Sequence, residues 1–312
     1  MKQTLFALTF MMTSLSCTAA PTAQPEEAGR VSWGRDLDAA LLSSKQTGKP
    51  VFALFQEIPG CAGCKQFGRD VLSNPLLVSA IETDFTPLLI HNNKPGKDAE
   101  VLQHFGEPAW NYQVVRFLDA NAKDLIPRKD QVWDTNGIAE RMIEVLTKAK
   151  RPVPAYLLLL AAEQSARLKQ AVFAMGCFWT GEMKLGQIDG VITSQAGFMN
   201  GREVTLLSYD PSAITLPQLI NAAEKVDCAN AVYVSEAELP SAKASRLSAG
   251  VIAGYSVAPV SDQKKQLQGT PAAGLLLSPA QATKVNAWIR VDGEKALSFL
   301  SPAQRNDRSL TR

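Results

Sequence analysis

The sequence predicts two units in tandem, a mixed α/β unit and then an α+β unit. Three observations carry this. Short apolar runs rich in β-formers alternate with stretches whose apolar residues recur at helical spacing. A proline-rich break, "RPVP" at residues 151–154, divides the chain near its middle. The two halves do not repeat one another, and 312 residues are enough for about two domains.

In the first half, residues 21–30 read as a flexible linker and residues 31–150 as the first domain. Residues 37–42 are apolar on one side of a helix that Gly48 stops. "PVFALFQ" (50–56) is a buried strand, and a helix runs from Cys61 through about Leu72. "FTPLLIH" (85–91) is a second strand, residues 98–106 a helix, and "VVRFLD" (114–119) a third strand turned by "ANAKD". Residues 136–150 form a helix ending in lysines, which suit the negative end of the helix dipole.

Residues 151–167 read as a linker and helix; "AYLLLLAAE" is too short to cross a bilayer and reads as buried. The second domain, 168–300, opens with a strand at 169–175. "GVITSQAGF" and "EVTLLSYD" are further strands. Residues 215–226, with Pro217 in the first turn, and 278–289 are helices. Residues 301–312 are a polar tail expected to fray.

The start, MKQTLFALTFMMTSLSCTAA, has a basic residue, a short apolar core and small residues, the pattern of a signal peptide over residues 1–20. The expected location is periplasmic or secreted. Cleavage near Ala19 or Ala20 frees a soluble chain, whereas lipidation of Cys17 would make the membrane a partner. A net charge of +2 without a basic stripe gives no reason to expect nucleic acid. His91 and His104 are the only histidines, which disfavours histidine triads and His-rich metal sites; no metal and no cofactor are expected. Four cysteines remain after Cys17: Cys61, Cys64, Cys177 and Cys228, of which sequence proximity favours only the first two as a pair.

"IPGCAGCKQF" places Cys61-Ala-Gly-Cys64 between a strand and a helix. The first thiol then sits at a helix N-terminus, where free N–H groups stabilise a thiolate, and the second lies one turn on. Cys61 is the expected attacking residue and Cys64 the resolving one, exchanging through a mixed disulfide. A static disulfide or half a zinc site are the plainer readings, the latter without a second ligand pair nearby. With "KPVFALFQEIPGCAGCKQF" as its lead strand and active-site turn, residues 31–150 resemble the thioredoxin superfamily. The PGCAGC variant is similar to secreted thioredoxin-like proteins in which selenocysteine takes the Cys61 position. The chain departs from that family at Gln113, where the resemblance would place a cis-proline before the third strand.

"GCFWTGE" at residues 176–182 is a second strand-to-helix cysteine. Cysteine beside aromatics is often plain core. At a helix start, however, Cys177 is favoured as a thiolate. Glu182, desolvated against aromatic rings and so kept protonated, is the expected proton donor. Phe178 and Trp179 offer an apolar cradle for a methyl group. These residues resemble the A-type peptide methionine sulfoxide reductases, whose signature is Gly-Cys-Phe-Trp-x-x-Glu. "GVITSQAGFMNG" and "REVTLLSYDPSAITLPQLI" look like that family's following strands, turn and helix.

The resemblance implies a ferredoxin-like fold for the second domain and a concrete reaction. Cys177 attacks a sulfoxide sulfur, Glu182 protonates the oxygen, and the resulting sulfenic acid condenses with a second thiol. Cys228 is either that thiol or a buried structural one. Three departures stand out: Phe198 replaces a family tyrosine, Gly201-Arg202-Glu203-Val204 stands for "GHAE" without its histidine, and "DQKKQL" is all that resembles a longer stretch. The leading expectation is an extracytoplasmic oxidoreductase. It reduces methionine sulfoxide in oxidised peptides or proteins, with electrons through Cys61–Cys64 from an unidentified thiol reductant. The alternatives are general thiol–disulfide exchange beside a silent second domain, and a non-catalytic binding or assembly module with a structural disulfide.

Overall fold

The computed structural model describes residues 24–109, 113–307 and 310. The expected signal peptide, with Cys17, lies outside them. Among the described residues no helix is long and apolar enough to cross a membrane.

The first sheet has three strands in the order β2-β1-β3, with β1 Val51–Gln56, β2 Thr86–His91 and β3 Val114–Leu118. β2 is parallel to β1 and β3 antiparallel to it. Every residue of β1 is buried, since helices cover both faces of this central strand, which explains its unbroken apolar run. Phe52, Phe85 and Phe117 form one face's centre, Phe52 meeting Phe117 edge-on at 5.2 Å. α1 (Leu37–Thr47) starts where the Asp36 carboxylate accepts the Ala39 N–H. α2 (Ala62–Asp70) follows β1. α3 (Pro75–Asp84) was not expected, although Asn74 capping the Leu76 and Leu77 N–H groups and Pro75 in the first turn are its signals. α4 (Lys97–Phe105) and α5 (Thr135–Lys148) complete the unit.

The linker expected at residues 21–30 is corrected in its described part. Glu26–Ala28 is a 3-10 turn with Glu27 and Ala28 buried. Gln24 Nε2 donates to the carbonyls of Ala28, Gly29 and Val31. α2 lies flat on this turn because residue 68 is glycine: a Cβ there would stand 1.9 Å from Glu26 O.

α6 (Ala155–Glu163) is apolar on most of its surface because it packs into two cores, with Leu158 left exposed. Tyr156, Leu157 and Leu160 enter the first core, while Leu159 meets Ile192 and Ala280. The second sheet has six strands in the order β8-β7-β4-β6-β5-β9. Its centre runs β4 (Lys169–Ala174), α7 (Phe178–Gly186), β5 (Val191–Met199), β6 (Arg202–Tyr209), α8 (Leu216–Lys225), β7 (Ala231–Val234). These four strands lie antiparallel in the order β7-β4-β6-β5, the ferredoxin-like βαββαβ arrangement. After α9 (Leu239–Lys243), β8 (Ser248–Val251) pairs parallel with β7, and β9 (Ser256–Val257) pairs with β5. α10 (Pro279–Trp288), opened by a Ser278–Gln281 capping box, packs on α7 and β5. α11 (Gly293–Ser298) and α12 (Pro302–Arg305) follow. The tail expected to fray instead begins with a capped helix, since Ser301 and Gln304 close a second capping box.

Candidate functional site

β1 ends in the loop Glu57–Gly60, which delivers Cys61 to the N-cap of α2. No side chain caps that helix. The free N–H groups of Cys64 and Gly63 therefore turn to the Cys61 sulfur, and the Cys64 N–H leads in holding the Cys61 pKa below its ordinary value. Cys64, one turn in, is buried; burial, then the Cys61 sulfur, pushes its thiol up to about 12. The sulfurs are 3.6 Å apart and both free. One thiol is thus exposed with its ionisation favoured, the other hidden with its ionisation opposed, which is the asymmetry that exchange requires. The cis peptide among the described residues is Ile58–Pro59, immediately before this motif. Gln113 is buried ahead of β3, and residues 110–112 before it lie outside the described residues.

β4 likewise delivers Cys177 to the N-cap of α7, half-buried and without side-chain capping. α7 approaches the sheet closely because residue 181 is glycine; a Cβ there would fall 2.0 Å from Met175 Sδ and 2.5 Å from Thr205 Oγ1. Phe178 is buried against Ala196 and Ala258, 5.4 Å edge-on from Phe198 and 6.0 Å from Trp179. Phe198 keeps 39% of its surface exposed, so these rings form an open apolar wall at the start of α7. Lys265 Nζ lies 4.7 Å above the Trp179 ring.

The expectation for Glu182 is corrected. Its side chain is fully buried, but not as a lone desolvated acid. Oε2 accepts the Lys264 N–H at 2.7 Å and Oε1 accepts from Lys264 Nζ, which also donates to Ser194 O. Both oxygens accept hydrogen bonds from Lys264, the arrangement of a paired carboxylate. The carboxylate that reaches the start of α7 is Glu203, whose Oε2 accepts the Phe178 N–H at 2.8 Å. Its other oxygen accepts no hydrogen bond among the described residues. The Tyr255 hydroxyl lies over Gln195 and Ala196, its pKa pushed up to about 12 by burial and then by the Glu182 charge.

Cys228 is buried in the core between α8 and β7. Burial, foremost, raises its pKa, and a Cys177 charge adds to the rise. The antiparallel β4–β7 pairing brings its segment toward Cys177: Asn230 N donates to Ala174 O at 2.8 Å. Lys184 of α7 ties to the same segment through Val226 O at 2.9 Å.

A thioredoxin-like family model matches residues 32–120. A peptide methionine sulfoxide reductase model matches residues 169–210. The chain carries a thioredoxin-like domain followed by a peptide methionine sulfoxide reductase-like domain. Peptide methionine sulfoxide reductase MsrA of Methanococcus maripaludis is 35% identical over a region covering 18% of this chain and 46% of that protein. MsrA of Rhodospirillum centenum is 35% identical, covering 18% and 33%. The chain spans less than half the length of these curated relatives. Similar solved structures include DsbH oxidoreductase (20% identity, 41% of this chain and 91% of that one, TM-score 0.33). Another is methionine sulfoxide reductase A of Corynebacterium diphtheriae (17%, 42% and 89%, TM-score 0.28).

Within the reductase-like domain, the Phe178, Trp179 and Phe198 rings gather at the start of α7, whose N-cap is Cys177, and Glu182 lies on the same helix in its ion pair with Lys264. Sequence reasoning missed Glu203, Lys264 and Lys265. Glu203 was within reach, because Gly201-Arg202-Glu203-Val204 stands where the family has "GHAE", a stretch containing a carboxylate. Lys264 carried no local signal, since its partner lies 82 residues earlier.

Proposed function

We propose that the chain is an oxidoreductase acting on sulfur, which reduces methionine sulfoxide in peptides at Cys177. The observation that carries this is the placement of Cys177 and the Glu203 carboxylate at one helix start, beside the Phe178–Trp179–Phe198 wall. The wall receives the methyl group. The Cys177 thiol gives its proton to the Glu203 carboxylate and attacks the sulfinyl sulfur, and Glu203 passes that proton to the sulfoxide oxygen. The hydroxyl then passes from the methionine sulfur to the Cys177 sulfur as the transient sulfur–sulfur bond breaks, so that methionine leaves and Cys177 becomes a sulfenic acid. A second thiol, Cys228 where the loop before β7 opens, condenses with it to a disulfide and water. Cys61 then attacks that disulfide, and Cys64 displaces the product thiol. Two electrons leave the dithiol, and an external thiol reductant restores it. The basic, apolar and then small-residue N-terminus supports an extracytoplasmic setting.

The test is reduction of a methionine-sulfoxide peptide by the dithiol-charged protein. Loss in Cys177→Ser and retention in Cys228→Ala with dithiothreitol support the scheme. A Cys177–Cys228 disulfide by mass spectrometry of the substrate-treated protein supports the relay.

One observation favours a second reading. Lys265 covers a face of Trp179 that a methyl group would otherwise occupy. Disulfide exchange by Cys61–Cys64, unchanged by Cys177→Ser and without sulfoxide turnover, would select it.

A further inference from the structure

The loop that carries Cys61 is held from outside its own helix. Gly60 N donates to Glu27 Oε1 at 2.8 Å. Asn93 Oδ1 accepts the Ile58 N–H at 3.2 Å, and Asn93 Nδ2 donates to Pro59 O at 3.1 Å. Gln56, fully buried, sends Nε2 to Glu27 O at 2.8 Å and to Cys64 O at 3.1 Å. Glu27 therefore meets the motif twice, by its carboxylate before Cys61 and by its backbone through Gln56 to Cys64. It is itself buried, and its turn is fixed on α2 at Gly68 and by the Arg69–Glu26 ion pair.

We infer that Glu27 is a positioning residue of the Cys61–Cys64 dithiol, setting the Cys61 loop through the Gly60 amide. A buried carboxylate accepting a backbone N–H makes a charge-assisted bond, stronger than a neutral one. Its position is further set by the Gln56 bridge. The Cys61 sulfur relies on the N–H groups of Gly63 and Cys64, and a small displacement of the loop misaligns them. The segment before the first helix thereby belongs to the redox site. This inference rests on the reading that Cys61–Cys64 exchanges with thiols.

Two variants of the full chain separate the roles. Glu27→Met fills the space without an acceptor, and Glu27→Gln keeps an acceptor oxygen. The readouts are the pH profile of Cys61 alkylation by iodoacetamide, followed on its own peptide, and the equilibrium of the pair with glutathione. Glu27→Met is expected to slow Cys61 alkylation at neutral pH about tenfold, as misplacement of a reacting group does. It should also move the profile to higher pH, and Glu27→Gln should restore the rate to within about threefold. A Glu27→Met profile and glutathione equilibrium equal to the parent's overturn the inference, whatever the melting temperature does. Should Glu27→Met not fold, amide exchange in the parent decides: a protected Gly60 N–H supports the clamp, and one exchanging at the free rate overturns it. A parent pair that never exchanges with glutathione fails the redox reading instead.

Discussion

Replacing Lys264 by methionine tests whether Glu182 is held by a pair or stands as a free acid. The substitution removes two of the three hydrogen bonds that Lys264 donates. The bond from Nζ to Glu182 Oε1 and that to Ser194 O are lost, and the backbone bond to Oε2 remains. Glu182 is wholly buried and Lys264 is 16% exposed, so the carboxylate is left in a site that water scarcely reaches. Losing one partner of a buried pair costs about 3–5 kcal/mol, and the surviving backbone bond argues for the lower end. Lys264 also sits at φ 48, outside the conformations that side-chain-bearing residues prefer, so the turn depends on these bonds to persist. A loss of about 3 kcal/mol lowers the melting temperature of a unit of this size by about 10 °C. Chemical denaturation followed by the Trp179 environment reads the loss directly. The double variant Lys264→Met with Glu182→Leu, which replaces the pair by apolar groups, should recover most of it. A single variant within about 1 kcal/mol of the parent, or a double variant as unstable as the single, would refute the pairing argument.

The two cysteines of the first site should separate by pH. Cys61 should alkylate in the folded chain well below the pH at which a free thiol does, while Cys64 stays silent until unfolding, which peptide mapping checks. Because the Cys64 pKa is raised in the folded state, its contribution is full below its ordinary value of 9.0 and is lost as pH rises toward 12. Lys284 runs the other way. Its ammonium is buried with bonds to Gly186 O and Ile188 O, and burial lowers its pKa to about 8 from 10.5. Between those values the unfolded chain binds more protons, so stability rises with pH through that window. The urea midpoint should therefore climb between about pH 8 and pH 10.5 in the parent and stay flat in Lys284→Met.

Elements written in local patterns were legible: the buried run of β1, the capped helices α1, α8 and α10, and both cysteines at strand-to-helix junctions. β8 and β9, four and two residues long, carry too little pattern to stand out, and they exist because β7 and β5 offer open edges. Glu27 looked like part of a polar lead because its burial depends on a glycine 41 residues later, where α2 admits the turn. Glu182 illustrates the same limit from within the site. Spacing put it on α7 near Cys177, but its ion-pair partner lies in "DQKKQL", 82 residues on, a stretch whose resemblance gave no sign of pairing with it. Glu203 was visible as a residue, and only the β5–β6 pairing showed that it reaches the start of α7.

Both cysteines start a helix, yet the helices use their free donors differently. At α2 the Cys64 and Gly63 N–H groups favour the sulfur anion. At α7 the first N–H, that of Phe178, is taken by the Glu203 carboxylate. One helix start stabilises a negative charge by about 0.3–1 kcal/mol, and here a carboxylate and a sulfur compete for it. Glu203→Gln removes the competing charge while keeping an acceptor for the Phe178 N–H. Cys177 should then react with iodoacetamide about twofold to fivefold faster at neutral pH. Sulfoxide reduction by the same variant should fall by about 10²-fold or more, because the proton source is gone. Glu182→Gln, which weakens a pair behind the wall, should change the alkylation rate little. The two readouts moving in opposite directions distinguish a proton donor from a residue that merely supports the loop, for which both would fall together. If Glu203→Gln leaves sulfoxide reduction intact, the carboxylate is a cap for α7, and the proton must come from elsewhere.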